Sequence, residues 1–192
     1  MVLGRWKGLT EMRSVFTLLL LSGIFVASVA AAEQSSVYTA GGVSYEIKSP
    51  WKEMPVTSAM RQAQFQIPRA EGDNEDGEMG VFHFGAGQGG DVEANVQRWA
   101  GQFRKDGGSA EPVVEKREFN GLRVTVVSLE GTYMSGMPMG PQTPKTNFAL
   151  LGAIAEGSQG PVFFKLTGPK KTVDEARDEF NQKLPMVRKI RN

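Results

Sequence analysis

The stretch Met79–Phe103, MGVFHFGAGQGGDVEANVQRWAGQF, restricts the possible folds most, because two periodicities and a glycine cluster meet in it. Val81 and His83 alternate with Phe82 and Phe84, which is the period of a strand. Gly85, Gly87, Gly89 and Gly90 follow, and glycine takes positive φ without steric penalty, so the chain turns here. Asp91 is placed to cap a helix. Val92, Val96, Trp99, Ala100 and Phe103 then form one apolar stripe of helical period. Asp106-Gly107-Gly108 suits a left-handed exit at the helix end.

Gly85-x-Gly87-x-x-Gly90 also satisfies the letter of a dinucleotide-binding signature, in which backbone N–H groups at a helix N-terminus cradle a pyrophosphate. Asp91 opposes that reading, since it puts a carboxylate where the phosphate charge would sit. The rest of the chain lacks the strand–helix alternation of a parallel sheet. A nucleotide enzyme built on the Gly85–Gly90 turn is therefore an alternative, and a structural turn is preferred.

The first thirty-two residues read as a secretory signal peptide. Arg5, Lys7 and Arg13 give a basic start, Val15 to Ala30 is apolar, and Ala30-Ala31-Ala32 offers a cleavage site. Cleavage after Ala30 and retention as an anchor are the alternatives. Removing 32 of 192 residues leaves 160, enough for one domain over 33–192. The 22 basic and 21 acidic residues become 19 and 20 once Arg5, Lys7, Arg13 and Glu11 go. A near-neutral balance opposes nucleic-acid binding. No cysteine is present, which favours a bacterial periplasmic or secreted setting and excludes thiolate metal sites.

Along the chain, Val43, Tyr45 and Ile47 predict a half-buried strand ended by Pro50-Trp51, and Ala63, Phe65 and Ile67 a second. Residues 69–78, RAEGDNEDGE, form a charged turn; a calcium loop aligned on Gly77 fails, with Gly72 and His83 at ligand positions. Val113 to Phe119 has the mixed composition of an edge strand. Asn120-Gly121 signals a tight hairpin into Leu122–Leu129. Thr132 to Asn147 is expected to be a loop. Phe148 to Ala155 is apolar on both faces, as in a strand covered on both sides. Val162 to Thr167 is another strand. Thr172 and Glu175 suggest a capping box before a helix whose buried stripe is Val173, Ala176, Phe180, Leu184 and Val187. Pro185 is expected to end or kink that helix, and Arg188, Lys189 and Arg191 make a basic tail.

Catalytic equipment is sparse. His83 is the one histidine, and nucleophilic catalysis usually needs a base of that kind. Zinc would lack its usual ligands. His83 is expected to be a packed, hydrogen-bonded residue. Met134, Met137 and Met139 suit Cu(I) as soft thioethers, with His83 a possible fourth ligand; packing against the sheet is the competing role.

The strand ending at Pro50-Trp51, the N-x-x-R-W-x-x-Q-F helix (Asn95, Arg98, Trp99, Gln102, Phe103) and the VFFKLTGP-then-helix unit from Val162 to Leu184 carry a family resemblance. The chain resembles the PsbP-like superfamily, named for the extrinsic photosystem II subunit, and most nearly exported bacterial proteins with the same tryptophan helix. The resemblance implies an α+β fold, an antiparallel β-sheet flanked by helices on both faces (an α/β/α sandwich). It also implies an accessory or partner-binding protein rather than an enzyme. The glycine turn and methionine loop depart from PsbP, and no manganese, calcium or chloride role carries over. Together these readings predict an exported non-catalytic binding protein with a protein partner, no cofactor, no nucleic acid and no stable membrane insertion after cleavage. Its partner surface is expected at Arg98, Trp99, Gln102 and Tyr133, near the 132–147 loop and the Gly85–Gly90 turn at one end of the sheet. Copper binding is the alternative.

Overall fold

A computed structural model describes residues 35–56, 58–136, 140–183 and 187–189. The chain opens with β1 (Ser35–Ala40), β2 (Val43–Lys48), β3 (Lys52–Glu53), β4 (Arg61–Ile67) and β5 (Gly77–His83). Helix α1 (Val92–Ala100) follows, then β6 (Phe103–Lys105), β7 (Gly108–Ser109), β8 (Val113–Phe119), β9 (Leu122–Gly136), β10 (Gln142–Gly157) and β11 (Gly160–Pro169). Helix α2 (Lys170–Lys183) and β12 (Arg188–Lys189) end the described chain.

Among the described residues the strands form a nine-stranded sheet, in the order β3-β4-β5-β11-β10-β9-β6-β7 with β8 also on β9, and a small sheet β1-β2-β12. Every pairing is antiparallel. The predicted antiparallel α+β class therefore holds, with the first predicted strand assigned to a separate sheet.

Strand β10 shows how the core is organised. Ala149, Leu151, Ala153 and Ala155 belong to one hydrophobic cluster with Tyr45, Phe65, Phe164, Val173 and Phe180. Leu150 and Ile154 belong to another with Val96, Trp99, Phe103, Val127 and Phe163. Alternation puts these two sets on opposite faces of the strand. That explains why Phe148 to Ala155 reads as apolar throughout.

Several local expectations hold for the expected reason. Asp91 Oδ1 accepts from Ala94 N at 2.7 Å, capping α1. Asn120 and Gly121 take φ of 54° and 74° between β8 and β9, as a tight hairpin requires.

Others need correction. Helix α1 stops at Ala100, capped by Gly101, and Phe103 begins β6. Phe103 is fully buried all the same, because β9 offers it a strand partner in Tyr133. Asp106 and Gly107, at φ 51° and 83°, turn β6 into β7 instead of ending a helix. The expected 132–147 loop is largely strand: β9 and β10 pair out to Gly136 and Gln142. Pro144 is tolerated because β11 ends its pairing at Phe148, so this part of β10 has β9 as its one ladder neighbour. Arg188 pairs with Ser44 of β2 rather than forming a tail. Leu184, Pro185 and Arg191 lie outside the described residues.

Thr172 is also reassigned. Helix α2 already begins at Lys170, so Thr172 is not its cap. Its hydroxyl donates to Asp73 Oδ2 at 2.6 Å and accepts from Ala70 N at 3.0 Å, tying α2 to the β4–β5 turn. Thr172 is 1% exposed. Thr172→Val would leave the buried Ala70 N–H without its acceptor, a loss of about 1–3 kcal/mol. Urea denaturation should show it, with Thr172→Ser close to wild type; an unchanged midpoint for the valine variant would contradict this role.

Candidate functional site: a polar basin on the open half of one sheet face

The face that carries α1 is half covered. Register places Gln64, Gly80, Lys165, Gly152 and Val127 in one row across β4, β5, β11, β10 and β9. A neighbouring row runs Gln66, Glu78, Thr167, Leu150 and Leu129. Val96 and Trp99 of α1 cluster with the apolar right-hand members, Val127, Leu129 and Leu150. Of the polar left-hand members Gln64 is buried, Gln66, Lys165 and Thr167 are half-buried and Glu78 is exposed. A cavity of about 460 Å³ opens there, lined by residues that include Arg61, Glu78, Tyr133, Lys145, Phe148 and Lys165.

The tryptophan-helix motif builds the wall between the halves. Asn95 is buried, and its Nδ2 donates to Gly89 O and Asp91 O, each at 2.8 Å. That holds the glycine turn against the helix. Arg98 is exposed, and its Nη1 donates to Asn95 Oδ1 at 2.8 Å. The Trp99 ring packs against Gly152, where a Cβ would overlap Cζ3 and stand 3.0 Å from Cε3. Gln102 Oε1 accepts from Lys165 Nζ at 2.6 Å. Phe103, Tyr133 and Phe148 form a ring series with centroid separations of 5.2 and 6.0 Å.

Lys165 is the unusual member of the basin. It is half-buried, with its ammonium 5.4 Å from the Tyr133 ring centroid. No carboxylate among the described residues lies within ion-pair distance of it. Burial, and secondarily the Arg61 charge, pulls its pKa down to about 8, with Glu78 opposing. Burial also raises the Tyr133 hydroxyl above its ordinary value. The other charges at the rim are committed. Arg61 pairs with Glu78 at 2.7 Å, and Lys145 pairs with Glu75. Asp76 accepts from Gln66 Nε2 and Arg69 N, and those hydrogen bonds hold its carboxyl below the usual range. The charged 69–78 turn is thus bonded into its surroundings, with Asp73 held by Thr172.

Of the four residues expected on a partner surface, Gln102 and Tyr133 border the basin and Arg98 is exposed at the helix. Trp99, 6% exposed, faces the sheet and presents no ring to a partner. The glycine turn and the β9–β10 hairpin tip do not share one end of the sheet. Gly85 abuts Gly160, at the end of β10 where Gly157 pairs, while the hairpin tip joins the other end at Gln142. Fifteen residues of strand span about 50 Å.

The same register separates the proposed copper ligands. His83 pairs with Val162, opposite Ala155, and Met134 pairs with Pro144. Eleven residues along β10 put them about 35 Å apart. His83 is a packed histidine, its Nε2 donating to Gln159 O at 3.0 Å. Met137 and Met139 lie outside the described residues. At the glycine turn, the α1 N-terminus already holds the Asp91 carboxylate.

Sequence reasoning missed Lys165, though a signal was present: one charged residue inside the otherwise apolar strand VFFKLT.

The class of protein is thus a mainly antiparallel sheet with two described helices and an open polar basin. No protein-family model matches the sequence, and no curated protein matches it. The fold is PsbP-like. It is similar to the solution structure of cyanobacterial PsbP (CyanoP) from Synechocystis sp. PCC 6803, at a TM-score of 0.52 and 14% identity, over 84% of this chain and 95% of that one.

Proposed function

We propose that the protein is an exported, non-catalytic accessory protein that binds a protein partner through the basin face. The observation that carries this reading is the basin itself, an open polar cavity walled by rings on the half of the sheet that α1 leaves uncovered. No cluster of three or more metal-binding His, Cys, Asp or Glu side chains occurs among the described residues, and His83 is engaged elsewhere. In this reading the sheet is the middle of an α/β/α sandwich, with α1 on one face and α2 beside β1-β2-β12 on the other. The split of β10 between two clusters supports it. No described helix is long and apolar enough to cross a membrane. The likeness to cyanobacterial PsbP is consistent with an accessory role. Residues 1–32 serve as the export signal, and 33–192 are the working domain.

One experiment tests partner and export together. A photocrosslinking amino acid is placed at Ser135, in the basin, or at Lys116, on β8, and the protein is expressed in its own cells. A discrete crosslinked species is expected from Ser135 alone, on a chain whose N-terminal sequence begins at Glu33 or Ala31. Equal labelling from Lys116, or none from either position, refutes the surface. A chain still beginning at Met1 refutes cleavage.

A further inference from the structure

We propose that the basin is a binding site for a single carboxylate carried on an aromatic or aliphatic body, with Lys165 holding the carboxylate. This rests on the reading of the basin as the working face and adds the chemistry of what it takes.

The argument begins with the ammonium. It has three donors, and among the described residues its hydrogen-bond acceptor is Gln102 Oε1 at 2.6 Å. A half-buried cation without an anion bears part of the cost of desolvation, and a carboxylate supplies what is missing. With a pKa of about 8, Lys165 is largely charged at neutral pH. Tyr133, Phe148 and Phe82 line the same cavity and offer apolar contact to the rest of a ligand. The volume of about 460 Å³ falls within the range of roughly 300–1,000 Å³ that suits small organic ligands.

The rim sets the charge of that ligand. Glu75, Asp76 and Glu78 line the cavity with Arg61, Lys145 and Lys165. Arg61 and Lys145 are already paired to Glu78 and Glu75. Of the three cations lining the cavity, Lys165 alone has no carboxylate partner among the described residues. One ammonium without an ion pair matches the single charge of a monoanion, whereas a phosphate dianion brings a second negative charge in among the same three carboxylates.

Calorimetric titration of the purified protein at pH 6.5 with 3-phenylpropionate, its amide and phenyl phosphate tests this. The acid should bind at least tenfold more tightly than either analogue. Lys165→Met should weaken it at least tenfold, and so should a rise to pH 9.5, where the ammonium is discharged. Gln102→Glu keeps the lysine but supplies an internal carboxylate beside it, and should also close the site. Near-ultraviolet circular dichroism verifies that both variants fold. An N-acetyl tripeptide ending in phenylalanine, as free acid and as amide, separates the sources. Tighter binding of the free-acid peptide assigns the carboxylate to a partner chain's end, and tighter binding of 3-phenylpropionate assigns it to a free organic acid. Amide and acid binding alike, affinity unchanged in both variants, or no binding by any probe overturns the proposal. A Ser135 crosslink that survives Lys165→Met while every carboxylate fails removes this inference and leaves the partner surface standing.

Discussion

Trp99→Ala is expected to destabilise the fold by about 3–5 kcal/mol, the range for deleting a large buried ring. The ring is 6% exposed and rests on Gly152 of β10, with Val127 and Leu150 in the same cluster. The reverse change, Gly152→Ala, pushes a methyl into that ring and should cost about 1–3 kcal/mol by overpacking. The two changes share one space. In the double variant the methyl added at position 152 occupies part of the void left by the ring, and no clash remains. Its loss should fall short of the sum of the singles by about 1–2 kcal/mol. Urea denaturation of the four proteins gives the cycle. Simple additivity would show that the ring and the glycine do not touch, and would remove the wall that separates the covered half of the sheet from the basin.

Lys165→Met should stabilise the protein at pH 6.5 by about 1–3 kcal/mol, because it exchanges a half-buried charge for an apolar chain of similar length. The sign with pH follows from the lowered pKa of about 8 against an ordinary 10.5. Below pH 8 the lysine is protonated in folded and unfolded chains alike, and the folded state bears the whole desolvation cost. Between about 8 and 10.5 the unfolded chain holds the proton more tightly, so wild-type stability rises with pH relative to the variant. The advantage of the methionine should therefore shrink across that window and be nearly gone above it. Thermal melts of both proteins at pH 6.5, 8 and 10 measure the difference, and the other titrating groups cancel between them. A variant less stable than wild type at pH 6.5 would mean that the Gln102 and Tyr133 contacts outweigh the burial cost. The ammonium would then be part of the scaffold rather than a charge held ready for a ligand.

The elements were legible where a local rule governs them. Asp91 caps α1 because a carboxylate one residue before a helix reaches its free N–H groups. Asn120-Gly121 turns because both residues accept positive φ. The apolar faces of β2, β4, β10 and α2 follow from spacing alone. The site was less legible. Lys165 and Gln102 are 63 residues apart in the chain, and nothing in either neighbourhood announces the other. Their meeting depends on β11 lying between β5 and β10, a choice made by sheet order.

The amino-acid sequence by itself determined that this chain makes antiparallel ribbons and amphipathic helices, because side-chain period, caps and turn residues act over a few positions. The tertiary structure alone decided that Phe103 leaves a helical stripe for a strand, that Thr172 serves Asp73 instead of its own helix, and that His83 and Met134 stand far apart. Each of those outcomes turns on which distant backbone offers a hydrogen-bond partner or a space to fill. Such partners are set by register and strand order, which no short stretch of sequence contains.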